Sequence, residues 1–268
     1  NNEVSLVNPA KGQFHSILKA VKEGVKAKFG VKIALGVASA IPVALTNFAA
    51  EAAQVQLNPR SPKLGDTISV IVTPDNPSNG RNLKVTSNGK TYPVFRIAGN
   101  KYRAFIPTTP LQKYGRRVIR VSGDGRTRNL ALWVKNRRFP VQRINLPPGK
   151  AGVKATQHEL DRVRAFKAIV TPQKYWNGSF LRPNNSRIST IYGVRRYYNG
   201  KFAKNYFHRG VDYAGGTNSP VIAPAAGRVA LVGKVSQGFK VHGNIVGIDH
   251  GQGVTSIYMH LNRINVKE

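Results

Sequence analysis

The chain is organised around one stretch, Tyr206-Phe207-His208-Arg209-Gly210-Val211-Asp212-Tyr213-Ala214, read together with Ser256-Ile257-Tyr258-Met259-His260-Leu261. The first stretch places an imidazole, His208, and a carboxylate, Asp212, four residues apart across a glycine. The second ends a β-patterned run with another imidazole, His260. Zinc is commonly bound by histidine nitrogen and aspartate oxygen, and a catalytic site uses three protein ligands with water in the open position. His208 and Asp212 are therefore candidate metal ligands.

The motifs that surround this pair are more specific than its spacing, which chance pairs of histidine and aspartate also produce. They follow in the order Gly215-Gly216, Pro220-Val221-Ile222-Ala223-Pro224, Ala226-Gly227-Arg228-Val229-Ala230-Leu231-Val232-Gly233, Gly243-Asn244-Ile245-Val246-Gly247-Ile248-Asp249-His250-Gly251 and Thr255-Ser256-Ile257-Tyr258-Met259-His260-Leu261. This series resembles the lysostaphin-type (LytM-like) zinc metallopeptidases, which cut peptidoglycan stem peptides or cross-bridges. Upstream, Ile188-Ser189-Thr190-Ile191-Tyr192-Gly193-Val194-Arg195-Arg196 resembles the entry segment of that family, so the resemblance covers about residues 180–268.

The resemblance implies a role for each residue of the two stretches. His208 and Asp212 match the metal ligands, so zinc is the expected cofactor. The histidine of the matching Tyr-x-His-Leu motif works beside the metal, as a general base or as a donor to the tetrahedral intermediate, which makes His260 the expected catalytic residue. Strict alternation along a strand would put His260 on the same face as Tyr258. An unperturbed imidazole, with a pKa of about 6.5, is suited to proton transfer at neutral pH.

The chain departs from the family at its third zinc ligand. In the family this ligand and a second catalytic histidine come from a His-x-His motif some tens of residues after Tyr-x-His-Leu, whereas this sequence ends at Glu268 and contains no such motif. The only methionine is Met259. We expect the sequence to be a C-terminally truncated fragment whose third histidine ligand lies beyond residue 268; the alternative is an inactive relative.

Composition narrows the possible classes of protein but does not identify one of them. The sequence has 268 residues, 41% of them hydrophobic, which is enough for one large or two small cores. It contains no cysteine, so disulfides and thiolate metal sites are excluded. Its 42 Lys and Arg residues against 11 Asp and Glu give a net charge of +31, which suits anionic cell-wall polymers, acidic lipid surfaces or nucleic acid. A basic surface without a dedicated partner is the plainer alternative.

Residues 1–53 have the three parts of a secretory signal. Basic residues lead into the apolar run Ile33-Ala34-Leu35-Gly36-Val37-Ala38-Ser39-Ala40-Ile41-Pro42-Val43-Ala44-Leu45, and the small residues Ala49-Ala50-Glu51-Ala52-Ala53 follow. We expect a signal peptide or N-terminal anchor here, and hence a protein exported to the cell envelope, the periplasm or the medium. An N-terminal helix packed on the next domain is the alternative.

The remaining sequence divides into three predicted regions. Residues 56–141 alternate apolar and polar residues between turn signals, which predicts an immunoglobulin-like β-sandwich acting as a spacer, wall-binding or regulatory module. Residues 142–180 are a linker with a helix, in which Thr156 and Glu159 form a capping box. Residues 181–268 are the incomplete antiparallel-β peptidase domain. The predicted fold class is therefore mainly β.

Other motifs have simpler explanations. His158-Glu159 does not begin a zincin helix, because position 162 is arginine. We expect His250 to have a structural role in a turn. His242 is expected to be an exposed loop residue, with a place in the lining of a groove as the alternative. For His208 and His260 the alternative is a hydrogen-bonded core or edge histidine.

The sequence therefore predicts a zinc-dependent endopeptidase acting on peptidoglycan. A non-catalytic protein of the same fold, which binds the wall or regulates a hydrolase, is the alternative. Nucleic acid is not an expected partner, because the sequence lacks the motifs of the common nucleic-acid-binding folds.

Overall fold

The computed structural model describes residues 3–4, 54–147 and 153–268, so the predicted export signal lies outside the described residues. Strands dominate, in agreement with the mainly β fold class expected. They are β1 (Glu3–Val4), β2 (Gln54–Asn58), β3 (Thr67–Thr73), β4 (Lys84–Ser87), β5 (Lys90–Tyr92), β6 (Phe95–Ala98), β7 (Lys101–Pro107), β8 (Gly115–Ser122), β9 (Arg128–Val134), β10 (Val141–Ile144), β11 (Ile188–Thr190), β12 (Arg195–Tyr198), β13 (Lys201–Phe202), β14 (Asp212–Tyr213), β15 (Arg228–Gly233), β16 (Asn244–Gly251), β17 (Val254–Leu261) and β18 (Arg263–Ile264). Within the described ranges the α-helix is α1 (Gln157–Lys167), and short 3-10 helices span Pro77–Asn82 and Val235–Gln237.

The first β region consists of two antiparallel four-stranded sheets. Their strand orders are β2-β3-β7-β6 and β5-β4-β8-β9. Alternate residues of both sheets point into one shared core, formed by Ile68, Val70, Val72, Leu83, Val85, Ala104, Ile106, Ile119, Val121 and Leu132. Period-2 alternation in the sequence therefore identifies the inward face correctly, because successive side chains of a strand point to opposite sides.

The C-terminal region is built on the three-stranded antiparallel sheet β15-β16-β17. Helix α1 packs on this sheet through Phe166, which belongs to a buried cluster with Leu231, Phe239 and Ile245. Gly247 of β16 allows this close approach, since a Cβ there would lie 2.7 Å from the Phe166 ring. The predicted capping box is present, with Thr156 accepting from the backbone of Glu159 and Glu159 accepting from the backbone of Thr156.

The two β regions are joined by strands and by side chains. Strand β10, which lies in the expected linker, pairs in parallel with β12. At the turn between β16 and β17, Gln252 accepts a 2.9 Å hydrogen bond from the Arg103 guanidinium and donates one of 3.2 Å to the carbonyl of Arg96. No helix among the described residues is long and apolar enough to cross a membrane.

Candidate metal centre

The two candidate ligands of the first stretch lie side by side. His208 Nε2 is 3.0 Å from Asp212 Oδ1, and the Asp212 side chain is 49% exposed whereas that of His208 is 12% exposed. His208 follows the buried Phe207, and Asp212 begins the short strand β14, which pairs with β11. The pair therefore lies at a surface, with the imidazole largely buried and the carboxylate half exposed to solvent.

The hydrogen bonds of His208 orient its ring toward the carboxylate. Its Nδ1 lies 3.0 Å from the carbonyl oxygen of Ile191, which can only accept, so Nδ1 carries the proton. In the neutral ring Nε2 then presents a lone pair to Asp212 Oδ1, which is also an acceptor. Two facing acceptors are stabilised by a cation or by a second proton on the ring. Two ligands of one tetrahedral zinc ion, each at about 2.0–2.1 Å, lie roughly 3.3 Å apart, so the observed pair fits such an ion.

The segment that holds the His208 ring is itself packed against the end of the first β region. The backbone of His208 exchanges 2.8 Å hydrogen bonds with Gly193 and Val194, next to the Ile191 carbonyl. Gly193 has φ +91°, and a Cβ there would lie 2.2 Å from the Phe139 ring. Outer partners that fix the tautomer and orientation of a metal-binding histidine commonly tune its affinity. Phe139 and Gly193 are thus part of the support of the site.

This support leads to a prediction for Gly193→Ala. The new methyl group would overlap the Phe139 ring and oppose the positive φ, so the segment carrying the Ile191 carbonyl must shift. We expect zinc affinity to fall by about 10-fold or more and the free energy of unfolding to fall by about 2 kcal/mol. Isothermal titration with zinc and urea unfolding measure the two effects.

Gly200→Ala is the matched control for this change. Gly200 also has a positive φ, +79°, but a Cβ there meets nothing within 4 Å. It should cost about 1–2 kcal/mol of stability from backbone strain and leave zinc affinity within about twofold. Equal zinc affinities for the two variants would show that the Phe139 contact does not support His208.

His260 lies at an irregularity of β17. Val246 pairs with Tyr258 and Asn244 with Leu261, so three steps along β17 oppose two along β16. His260 has φ +58° and donates its backbone N–H to the carbonyl of His242 over 3.0 Å. This bulge interrupts strict alternation, so period 2 alone does not determine the face of β17 on which His260 lies. A left-handed histidine is uncommon and costs energy, and such strain is concentrated at functional sites.

The loop behind His260 is bound by the capping-box glutamate of α1. The buried carboxylate of Glu159 lies 2.6 Å from His242 Nδ1 and accepts from the backbone N–H groups of Lys240, Val241 and His242. Burial by itself would raise the pKa of Glu159, but the hydrogen bonds and charge from His242 outweigh it, and the net pKa is lowered. His242 is therefore a partly buried residue paired with Glu159 and not a plain exposed loop histidine. This contact joins residues 83 positions apart, and no local sequence pattern indicates it.

His250 is buried inside β16 and bonded at both ring nitrogens. Its Nδ1 donates to the Ala226 carbonyl over 2.9 Å, which leaves Nε2 to accept from the Ser256 hydroxyl over 2.8 Å. The role is structural, although the residue belongs to a strand and not to a turn. Burial raises the pKa of the neighbouring Tyr258 to about 12, opposed by a hydrogen bond with Ser256, and the proximity of Tyr213 adds to the increase. Tyr258 is thus a neutral phenol throughout the physiological range.

Two further residues, Arg196 and Tyr206, lie near Asp212, and the sequence motifs did not indicate their contact. The guanidinium of Arg196 donates to the hydroxyl of Tyr206 over 2.9 Å. Burial lowers the pKa of Arg196, but Tyr198, Tyr206 and Asp212 outweigh that effect and raise it. Arg196 therefore brings a permanent positive charge close to the candidate ligand. Within the described residues, no group of three or more His, Cys, Asp or Glu side chains converges on a metal position.

Comparison with known proteins found a match to a protein family and a match to a solved structure. Residues 206–268 match the sequence profile of peptidase family M23, which confirms the resemblance indicated by the motifs and supports a peptidase function. The chain is similar in structure to a protein from Pseudomonas aeruginosa described as a peptidase M23, with a TM-score of 0.52, 24% identity and 77% of each chain covered. That likeness shows the fold. No curated protein matches the chain.

Proposed function

We propose, from the match of residues 206–268 to peptidase family M23 and from the facing side chains of His208 and Asp212, that the chain belongs to a zinc-dependent endopeptidase. Its substrate is the peptide part of peptidoglycan, either stem peptides or cross-bridges. The proposal includes export to the cell envelope, where this substrate lies. The positive net charge of +31 suits contact with an anionic wall.

Each residue of the site has a distinct part in this proposal. His208 Nε2 and Asp212 Oδ1 hold the metal. When bound, zinc lowers the pKa of water and polarises the scissile carbonyl. His260 transfers a proton or donates to the developing oxyanion. Arg196 brings a positive charge close to the Asp212 carboxylate.

The observation that carries the proposal is the 3.0 Å approach of His208 Nε2 to Asp212 Oδ1 while Nδ1 is committed to Ile191. A bound cation would stabilise the approach of His208 Nε2 to the half-exposed Asp212 carboxylate. A metal-binding histidine commonly donates its other ring N–H to an outer partner such as a backbone carbonyl, as His208 Nδ1 does here to Ile191.

The test is cleavage of purified sacculi by the protein encoded by the complete reading frame. Peptide-bond hydrolysis releases new amino groups without new reducing sugar ends. We expect this pattern, its loss in EDTA and its recovery after zinc is added back. Release of reducing ends, or cleavage that survives chelation, would overturn the proposal. Binding of sacculi without any cleavage would support the non-catalytic alternative.

A further inference from the structure

One sheet of the first β region presents an exposed face with an unusual set of side chains. In the sheet β5-β4-β8-β9, Ile119, Val121, Leu132 and Val134 point into the interior. Alternate positions must point the other way. We call the outward set the outer face and define it by Thr86, Thr91, Arg116, Arg120, Asn129 and Trp133.

The outer face carries Trp133, a large aromatic side chain that is mostly exposed to solvent. The Trp133 side chain is 60% exposed, and its residue pairs directly with Arg116 across the ladder of β8 and β9. Tyr114, immediately before β8, is 61% exposed. Aromatic residues supply most contact energy at recognition surfaces, and Trp and Arg are enriched among the residues that dominate binding. An open tryptophan beside an arginine therefore indicates a ligand.

The first β region has many more basic than acidic residues, and two of its arginines lie on the outer face. Residues 56–140 contain seventeen basic residues and three acidic ones, Asp66, Asp75 and Asp124. All three carboxylates are already paired, Asp66 with Arg137, and the other two with Arg128. Among the described residues, no carboxylate pairs with Arg116 or Arg120. The Cα atoms of these two residues lie roughly 14 Å apart, four residues along one strand, and their guanidinium groups are available to an anionic ligand.

A polar row that includes Arg120 crosses all four strands. The ladder aligns Thr91 with Thr86, Thr86 with Arg120, and Arg120 with Asn129. Hydroxyl and amide groups of this kind both donate and accept hydrogen bonds, which matches the hydroxyl and acetamido groups of amino sugars. A single-stranded nucleic acid would instead favour several stacking rings side by side. The face therefore suits a sugar chain that carries carboxylates.

We propose that the outer face binds a wall glycan strand, with a sugar ring on Trp133 and stem-peptide carboxylates on Arg116 and Arg120. This inference rests on the proposed function, since it takes the same polymer as ligand. It assigns the first β region to substrate retention, apart from the metal centre. Binding at the outer face needs neither zinc nor cleavage.

The experiment measures sedimentation of the 268-residue chain with insoluble sacculi in EDTA, so that hydrolysis cannot contribute. We expect Trp133→Ala to weaken binding by about 10-fold. The double variant R116A/R120A should weaken it to a similar extent and remove most of its salt dependence. The control R81A/K101A also removes two exposed positive charges from this region but not from the outer face, and it should stay within about twofold of the parent. Circular dichroism of each variant verifies folding.

Further probes distinguish the ligand chemistry. Sacculi stripped of their stem peptides should still depend on Trp133 but lose the dependence on the two arginines. Unchanged binding of Trp133→Ala to sacculi, or tighter binding of the parent chain to duplex DNA or anionic vesicles than to sacculi, would overturn the inference. Failure of the proposed function has a different signature, namely intact Trp133-dependent binding without zinc-dependent cleavage.

Discussion

Replacing His208 or Asp212 by alanine is expected to reduce the zinc affinity of the chain by about 100-fold or more. Loss of an outer partner of a metal ligand costs about 10–100-fold, so loss of a ligand should reach at least the upper end of that range. Competition with a chromophoric chelator measures the affinity directly. In the protein encoded by the complete reading frame, the same changes should abolish cleavage of sacculi.

Asp212→Asn tests the effect of the carboxylate charge separately from the effect of side-chain size. The amide keeps the size of the side chain but removes the negative charge that makes a carboxylate a good ligand, so zinc affinity should fall nearly as far as in the alanine variant. His158→Ala is the matched histidine control, because His158 is exposed on α1, where its ring makes an edge contact with Phe239. Retention of parental zinc affinity by both His208→Ala and Asp212→Ala would remove the metal centre from the proposal.

The local part of this site was predictable from sequence. His208 and Asp212 are four residues apart across Gly210, and their side chains lie together in the structure. The capping box of Thr156 and Glu159 is equally local, and it is present. Alternation in β3 identified Ile68, Val70 and Val72 as core. Each of these features depends on residues a few positions apart, where backbone geometry leaves few alternatives.

The missed features depend on contacts distant in sequence. Nothing near His242 indicates that its partner is Glu159, 83 residues away. The bulge at His260 arises from the register between two strands, which alternation within one strand does not reveal. Phe139 supports the His208 segment only because β10 joins the C-terminal region through β12. Long-range pairing therefore determines how the candidate residues are held, whereas the sequence indicates which residues they are.

Glu159→Gln is expected to be the most destabilising single change outside the cores. The carboxylate is acceptor-only and faces several N–H donors from residues 240–242, so it is fully matched. A glutamine amide would direct its NH2 group at some of those donors and leave them without an acceptor. A buried donor left unsatisfied costs about 1–3 kcal/mol, and several donors are affected here. Urea unfolding at neutral pH measures the loss. Asp161→Asn on the same helix is the control, since its exposed pair with Arg164 contributes at most about 0.5 kcal/mol.

The pH dependence of unfolding tests the same interaction of Glu159, with Glu159→Gln as the variant for comparison. Because the pKa of Glu159 is lowered in the folded state, its contribution is fully present above the ordinary glutamate pKa. It is lost progressively as pH falls through the lower folded value. The stability of the parent chain should therefore decline in this acidic range more steeply than that of Glu159→Gln, and the two curves should converge. Parallel curves would show that the ionised carboxylate does not stabilise the loop. Since that loop accepts the His260 N–H through the His242 carbonyl, its release should also relax the left-handed backbone at His260, seen as a change in the His260 ring resonances.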